Sequence, residues 1–480
     1  MGFVYIARRE KDQKLYALKT LKEWDKKKEE LIKDAILFFR EALVWIILGK
    51  HRNIVQALWF DFDEYYRPFL IMEYVDGNTS GVSLRDYLKS GEKFDIALAV
   101  RFCLEALNGL KYAKKVVNEE LHVPFIHRDI KPENILFKKD STLRVTDFGL
   151  VMGRGGTPLY RPPEQWDGKE VEERTDVYGL GCVIYEMFKR SPPFWGSKEE
   201  LKHKHLFEKP KPLSEVPPEL NRLVMQCLSK SPEERPDFLD LQDALQTLYK
   251  TFTGKPLFLR EDPELLSTEE FNARGSGFDQ LGYHEKAIEC YNNAIALDSK
   301  DPRFYLNRAN ARVSMKMEKL AGAVEDYKMT LRLNPGSLEA HLGLGNLFAQ
   351  KGDYEEALKY YEELKNLFPS DPMACVCMGN VFAQQGLYEE AISEFQRALY
   401  IRPNLAEAYL GLGNVYLCQR NYQKAEDDYK KAIDLNPLYA NAYLNLARLY
   451  QTMGRLKERD GAIDIFLHLS PLRGEDDGNL

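Results

Sequence analysis

Along residues 268–471 the apolar and small positions repeat at two scales, within helices and again every 34 residues. The stretches LGLGNLFAQKGDYEEALKYYEEL, VCMGNVFAQQGLYEEAISEFQRAL and LGLGNVYLCQRNYQKAEDDYKKAI are copies of one unit. Gly345, Gly379 and Gly413 share one position, Ala357, Ala391 and Ala425 a second, and Pro369, Pro403 and Pro437 a third. Such a period predicts antiparallel helix pairs stacked side by side, in which small residues let two helices approach and a proline closes each unit. Followed backwards, the phase meets Gly275, Ala287 and Ala294 in a first unit. A second unit, longer by two residues, holds Ala309, Ala323 and Pro335. Followed forwards it meets Pro471, and the unit from Ala440 carries Arg459 where a small alanine is expected, as suits an end cap with no following neighbour. Five good units and one degenerate one result.

The first half alternates between other patterns. In LYALKTL apolar residues alternate around Lys19, which predicts a strand with the lysine pointing into a cleft. A lysine-rich loop then leads into LFFREALVWIIL, apolar at helical spacing and carrying Glu41, and FLIMEYVDG reads as an apolar strand. Between the halves, YKTFTGKPLFLREDPELLST loses helical periodicity at Gly254, Pro256 and Pro263, so residues 251–267 are expected to be a linker. The expected division is therefore a globular unit over 1–250, this linker, repeats over 268–471 and an acidic tail over 472–480.

Composition narrows the function classes. With 480 residues, two or three domains are expected. Hydrophobic content of 44% with 29% charged residues argues against general disorder, and a formal charge of -7 gives no overall basic footprint for nucleic acid. The acidity sits in the second half, where Lys and Arg number 26 against 34 Asp and Glu; residues 1–250 have 41 against 40. Seven cysteines scattered along the chain suit a reducing compartment, and the close pair Cys375 and Cys377 lacks the His/Cys company of a metal site. The longest apolar run, ALVWIILG, is far too short to span a membrane. A cytoplasmic protein is expected.

The chemistry is concentrated in FIHRDIKPENILF, residues 125–137, followed by VTDFGL, residues 145–150. Phosphoryl transfer needs a carboxylate beside the attacking hydroxyl and oxygen ligands for magnesium on rigid neighbouring loops. His127-Arg128-Asp129 with Asn134, then Asp147-Phe148-Gly149, resembles the catalytic and metal loops of the eukaryotic-type (Hanks-type) Ser/Thr protein kinases, and the resemblance extends over about 250 residues. The second half resembles tetratricopeptide repeats. The implied fold is an α+β bilobal protein-kinase-like domain, its N-lobe lacking the first strand, followed by an all-α tetratricopeptide-repeat solenoid.

The resemblance implies roles for individual residues. Asp129 would accept or orient the proton of a protein hydroxyl, Asn134 and Asp147 would hold Mg2+, and Lys131 looks like the lysine that Ser/Thr-specific members place on the transferred phosphate. Lys19 would hold the α- and β-phosphates of ATP with Glu41 as its helix partner, Glu29 and Glu30 being alternatives. Met72 would be the gatekeeper, Glu73 and Val75 the adenine-contacting hinge, and Ala17 and Leu136 the residues packed on either face of adenine. In GTPLYRPPEQW and SPEERPDF, Glu164 should pair with Arg235, and Asp176 of TDVYGLG should anchor the catalytic-loop backbone.

Two departures from the family pattern matter. Of the loop G-x-G-x-x-G-x-V only Gly2 and Val4 can be matched, so the chain is expected to be a shortened form of a longer protein, with Met1 an internal methionine and its activity impaired. The stretch between Gly149 and Thr157 has no hydroxyl to phosphorylate, so switching is expected to be absent or delegated to the repeats. A longer connection, AKKVVNEELHVPF, has no functional reading from sequence. In four successive repeats one position carries Asn310, Asn346, Asn380 and Asn414, which could either bind an extended peptide or satisfy neighbouring helix ends. The functional expectation is a Ser/Thr protein kinase with a protein substrate and a peptide or protein ligand on its repeats. The alternatives are a non-catalytic scaffold and, less favoured, a small-molecule phosphotransferase, which would not need Lys131 or GTPLYRPPE.

Overall fold

A computed structural model describes residues 3–10, 13–21, 28–63, 67–91, 94–148, 156–259, 265–315 and 320–469, with side chains from residue 34 onward in the segment that starts at 28. Gly2, Gly149, the stretch 149–155, Pro471 and the tail 472–480 lie outside the described residues, as do the side chains of Glu29 and Glu30.

The chain opens with the antiparallel pair β1 (Phe3–Arg8) and β2 (Leu15–Thr20), then the long helix α1 (Lys28–Leu48) and the pair β3 (Ala57–Phe62) and β4 (Pro68–Glu73). These strands form one antiparallel sheet in the order β1-β2-β4-β3. Lys19 lies opposite Val4 on one side and Leu70 on the other. The expected strand forms, and within β2 the buried residues are Tyr16 and Lys19, which lie three apart and so on opposite faces of the sheet. On β1, by contrast, Phe3, Val4, Tyr5 and Ile6 are all exposed.

A helical lobe follows, with α2 (Leu84–Lys89), α3 (Ile96–Leu121), the short hairpin β5 (Ile135–Phe137) and β6 (Leu143–Val145), α4 (Pro163–Asp167), α5 (Glu173–Lys189), α6 (Lys198–Phe207), α7 (Pro218–Cys227) and α8 (Phe238–Thr253). Helix α5 is the centre of this lobe; every residue from Thr175 to Met187 is buried. The expected longer connection is helical: α3 continues to Leu121 before the chain turns at His122, which adopts the left-handed conformation. Helix α8 ends at Gly254, also left-handed. The following Leu257 packs on the lobe and its carbonyl accepts from Gln246 at 2.8 Å.

The repeats form six helix pairs among the described residues: α9 (Thr268–Gln280) with α10 (His284–Leu297), α11 (Pro302–Ser314) with α12 (Leu320–Leu333), α13 (Leu338–Gln350) with α14 (Tyr354–Leu367), α15 (Met373–Gln384) with α16 (Tyr388–Ile401), α17 (Ala406–Cys418) with α18 (Tyr422–Leu435), and α19 (Ala440–Thr452) with α20 (Leu456–Leu469). The unit with Arg459 keeps the hairpin. The phased glycines exist because a ring lies against them. Phe395, fully buried, sits between Gly379 of its own unit and Gly411 of the next, where an added Cβ would lie 2.8 Å and 2.4 Å from the ring. Gly411→Ala is therefore expected to cost about 1–3 kcal/mol through overpacking, read as a lower urea midpoint of the repeat region.

Candidate active site

The cleft between the sheet and the helical lobe is built from three chain segments. Lys19, held on β2 and buried, donates to Glu41 of α1 and, at 2.6 Å, to Oδ1 of Asp147 just beyond β6. Its ammonium also lies 5.5 Å from the ring of Trp45, one helical turn past Glu41. Burial works against the lysine's charge, but Glu41 and Asp147 outweigh it and its pKa is raised. Burial pushes the Glu41 carboxyl up, opposed by Lys19, whereas for Asp147 the cation wins over burial and the pKa is lowered. Three ionisable groups thus share a water-poor site, two acidic and one basic. Such a cluster is expensive unless something further balances it.

Asp129 occupies the turn before the β5–β6 hairpin. Its Oδ1 accepts from both the backbone N–H and the hydroxyl of Thr157, each at 2.8 Å. Its Oδ2 accepts from Lys131 at 2.6 Å, and that lysine also reaches the Thr157 hydroxyl at 2.9 Å. Asn134 turns its amide N–H toward the Asp129 carbonyl at 2.9 Å, which leaves its oxygen as the remaining acceptor. The hairpin brings the metal-loop candidates to one end: Ile135 pairs with Val145, and the Thr146 N–H donates to the Asn134 carbonyl at 3.0 Å. Asn134 and Asp147 together offer hard oxygen donors, the set Mg2+ prefers, in a number that leaves positions for phosphate oxygens and water.

The supports are tightly bonded. Asp176, buried on α5, accepts from the backbone N–H groups of His127 at 2.7 Å and Arg128 at 2.8 Å. Those bonds hold a turn in which Arg128 has φ +67°, and Asp147 has φ +68°, both in the left-handed region that costs a non-glycine residue free energy. His127 bonds the Thr146 carbonyl through Nε2 at 3.0 Å, tying the two loops together. Phe148 is buried against Trp45, Phe125 and His127, which fixes the backbone on the far side of Asp147. Glu164 and Arg235 form a buried two-pronged pair at 2.8 and 2.9 Å.

The remaining sequence-predicted residues cluster less closely. Met72 on β4 lies opposite Ala17 on β2, both beside the cleft, with Val75 buried just after the strand and Leu136 half-buried on β5. The Glu73 side chain is committed elsewhere: it accepts from the Gln56 N–H at 2.9 Å and from Arg144, and pairs with Lys138 at 3.2 Å. Val4 is exposed on β1. In the sequence Thr157 only marks the end of the stretch without hydroxyls; its bond to Asp129 joins residues 28 apart, a spacing that carries no periodic signal.

On the repeats, three of the four asparagines meet a ring hydroxyl rather than a helix end. Tyr327 donates to Asn310 at 2.6 Å, Tyr361 to Asn346, and Tyr429 to Asn414 at 2.8 Å. The fourth unit has Phe395 at the corresponding position, which has no hydroxyl to offer Asn380. No described helix is long and apolar enough to cross a membrane.

Comparison with known proteins bears on the two halves of the chain. Residues 1–250 match the family model described as protein kinase domain, and residues 278–316 with 379–419, 309–372, 406–439 and 428–459 match models of the tetratricopeptide repeat. The chain is similar to serine/threonine-protein kinase A of Synechocystis sp., at 34% identity over 48% of this chain and 49% of that protein. It is similar also to serine/threonine-protein kinase PknB of Mycolicibacterium smegmatis, at 35% identity over 35% of this chain and 28% of that protein. A probable serine/threonine-protein kinase of Clostridium perfringens shares 32% identity over 49% of this chain and 34% of its own length. The matched region thus spans less than half the length of each of these curated relatives. Because the kinase model covers more than half of its residues, the chain belongs to the protein kinase family, and it carries tetratricopeptide repeats behind that domain.

Proposed function

We propose that this chain transfers the γ-phosphate of ATP to serine and threonine hydroxyls of proteins, and that the repeats hold a protein or peptide partner. The observation that carries the reading is the cluster in which the buried Lys19 faces two carboxylates, the nearly buried Glu41 of α1 and the partly open Asp147 at the end of β6. A structural ion pair needs one carboxylate; the second leaves a net negative site suited to a cation bound with a polyphosphate. Magnesium, held by Asp147 and the Asn134 oxygen, would neutralise charge on the phosphate oxygens.

In this reading Lys19, kept in place by Glu41, binds the α- and β-phosphates. Ala17, Leu136, Met72, Glu73 and Val75 surround the adenine, with Val4 nearer the phosphates. Asp129 takes up or orients the hydroxyl proton of the acceptor, and Lys131 stands on the transferred phosphate. Thr157 is a positioning residue, because it fixes the rotamer of Asp129 and the ammonium of Lys131 together. Thr157→Val keeps the shape and removes the hydroxyl, and a drop of roughly tenfold to a hundredfold in kcat with little change in the KM for ATP is expected. Steady-state kinetics on a serine-containing protein checks this.

The asparagine series supplies the peptide site. With the Asn310, Asn346 and Asn414 oxygens already accepting from tyrosines, the side-chain N–H groups are what remains to meet a peptide carbonyl. Replacing all four asparagines with alanine should abolish peptide capture. Seven cysteines without a disulfide among them suit a cytoplasmic location.

The direct test is incubation of the full chain with γ-labelled ATP and Mg2+ beside a general acceptor such as casein. Label on serine or threonine supports the proposal. Label on neither the chain nor the acceptor rejects it, and retained peptide capture would then leave a scaffold.

A further inference from the structure

We propose that the repeat array is a positioning device for Glu41, gripping α1 from both ends of the array so that the glutamate stays on Lys19. The inference rests on the reading above in giving that ion pair a catalytic purpose. The contacts themselves stand apart from it.

At its C-terminal end α1 has no basic residue in the last turn, where carbonyls lack intrahelical partners and favour a cation. The cation comes from the first repeat: Arg274 of α9 donates to the Ile47 carbonyl at 2.8 Å. Lys50, two residues beyond the helix, pairs with Glu270 of α9 at 3.2 Å. Helix α9 approaches so closely that a Cβ added to Gly277 would lie 2.5 Å from Ile46 Cδ1. Phe278 and Leu281, 2% and 3% exposed, belong to the same apolar cluster as Trp45, Ile46 and Ile47. The extended end of α3 joins in, since Lys286 of α10 pairs with Glu120.

The last repeat returns to the same helix. Ile36 of α1 packs into the apolar cluster of the final units, which holds Tyr443, Leu446 and Leu469. Phe39, Phe62, Leu281, Leu438, Ala440 and Leu469 line a cavity of about 120 Å³ where α1, β3, the first repeat and the last repeat meet. Glu41 lies between these two contact zones, one turn from Trp45 and two residues from Phe39. A packed helix moves as a body rather than bending residue by residue. To withdraw Glu41, α1 would have to uncover Phe278, Leu281 and Ile36 together. The stretch 150–156 offers no hydroxyl for a phosphate switch, and the repeats are an element in direct contact with the helix.

The test uses the full chain and two readouts. The first is the yield of a zero-length carbodiimide cross-link between Lys19 and Glu41, identified by peptide mass. The second is kcat with separate KM values for ATP and a protein acceptor. Gly277→Leu wedges α9 off Ile46, and Gly277→Leu combined with Ile46→Ala exchanges the volume. The wedge is expected to lower the cross-link yield at least fivefold and kcat at least tenfold and to raise the KM for ATP, with the acceptor KM unchanged. The paired substitution restores all of these to within twofold. Should the wedged chain fail to fold, Arg274→Ala decides by the same measurements. Cross-link yield and kcat unchanged in a chain whose α9 amides exchange freely would overturn the inference, as would a rise in acceptor KM alone. If the parent chain transfers no phosphate, the kinase reading fails, and the cross-link yield still decides whether the repeats place Glu41.

Discussion

Asp129→Asn is expected to lower phosphate transfer by about a thousandfold while leaving nucleotide affinity nearly unchanged, a loss within the range for removing a positioned acid or base. The geometry separates the two effects. Asp129 touches Thr157, Lys131 and Asn134, whereas Lys19, proposed to hold the α- and β-phosphates, sits with Glu41 and Asp147 in a cluster of its own. An amide at position 129 would still accept from Thr157, so the local fold should persist. It could not take up a proton, and its own N–H would face the Lys131 ammonium. Binding of a fluorescent ATP analogue beside single-turnover transfer checks the split. Transfer by the variant at the parent rate would remove Asp129 from the chemistry.

The second large effect is on stability. Glu164→Ala is expected to cost about 3–5 kcal/mol, because it leaves a buried guanidinium without its counter-charge. The Arg235 side chain is fully buried. Besides Glu164 it donates to the carbonyls of Ser229, Arg174 and Lys230, and it lies over the ring of Tyr178. Those carbonyls would remain, but they carry only partial charge. Thr175 would also lose the acceptor for its hydroxyl at the start of α5. The first urea transition of the full chain should move to markedly lower denaturant while the transition of the repeats stays where it was. A shift worth less than about 1 kcal/mol would place the pair with exposed salt bridges in its contribution.

How far the sequence could be read depended on whether a feature repeats. The 34-residue period placed every helix pair, including the degenerate one, because each unit answers the same packing demand. Alternation around Lys19 identified its strand, and the order of Asp129, Asn134 and Asp147 identified two loops whose spacing is set by one tight hairpin. Contacts between the halves left no such trace. Ile46 and Phe278 are apolar residues on apolar-periodic helices, and nothing in their pattern separates a domain junction from an internal core. The longer α3 looked like a connection because its end is polar, and there Glu120 pairs with Lys286 of the first repeat. The tyrosine partners of the asparagines leave no sequence signal for a related reason, since each bond crosses a helical hairpin at a separation of 15 or 17 residues.

The return of the last hairpin to α1 has a consequence for the length of the array. A free solenoid gains or loses a unit at small cost, because every unit touches only its neighbours. Here the arch is footed at both ends on one stone, so its span is fixed. Inserting a seventh unit of 34 residues, or excising one from the middle, would carry Leu469 and Tyr443 away from Ile36 and open the ring. Unit number in this protein is thus a tolerance set by the kinase domain, and the spring-like give usual in tandem arrays is traded for stiffness.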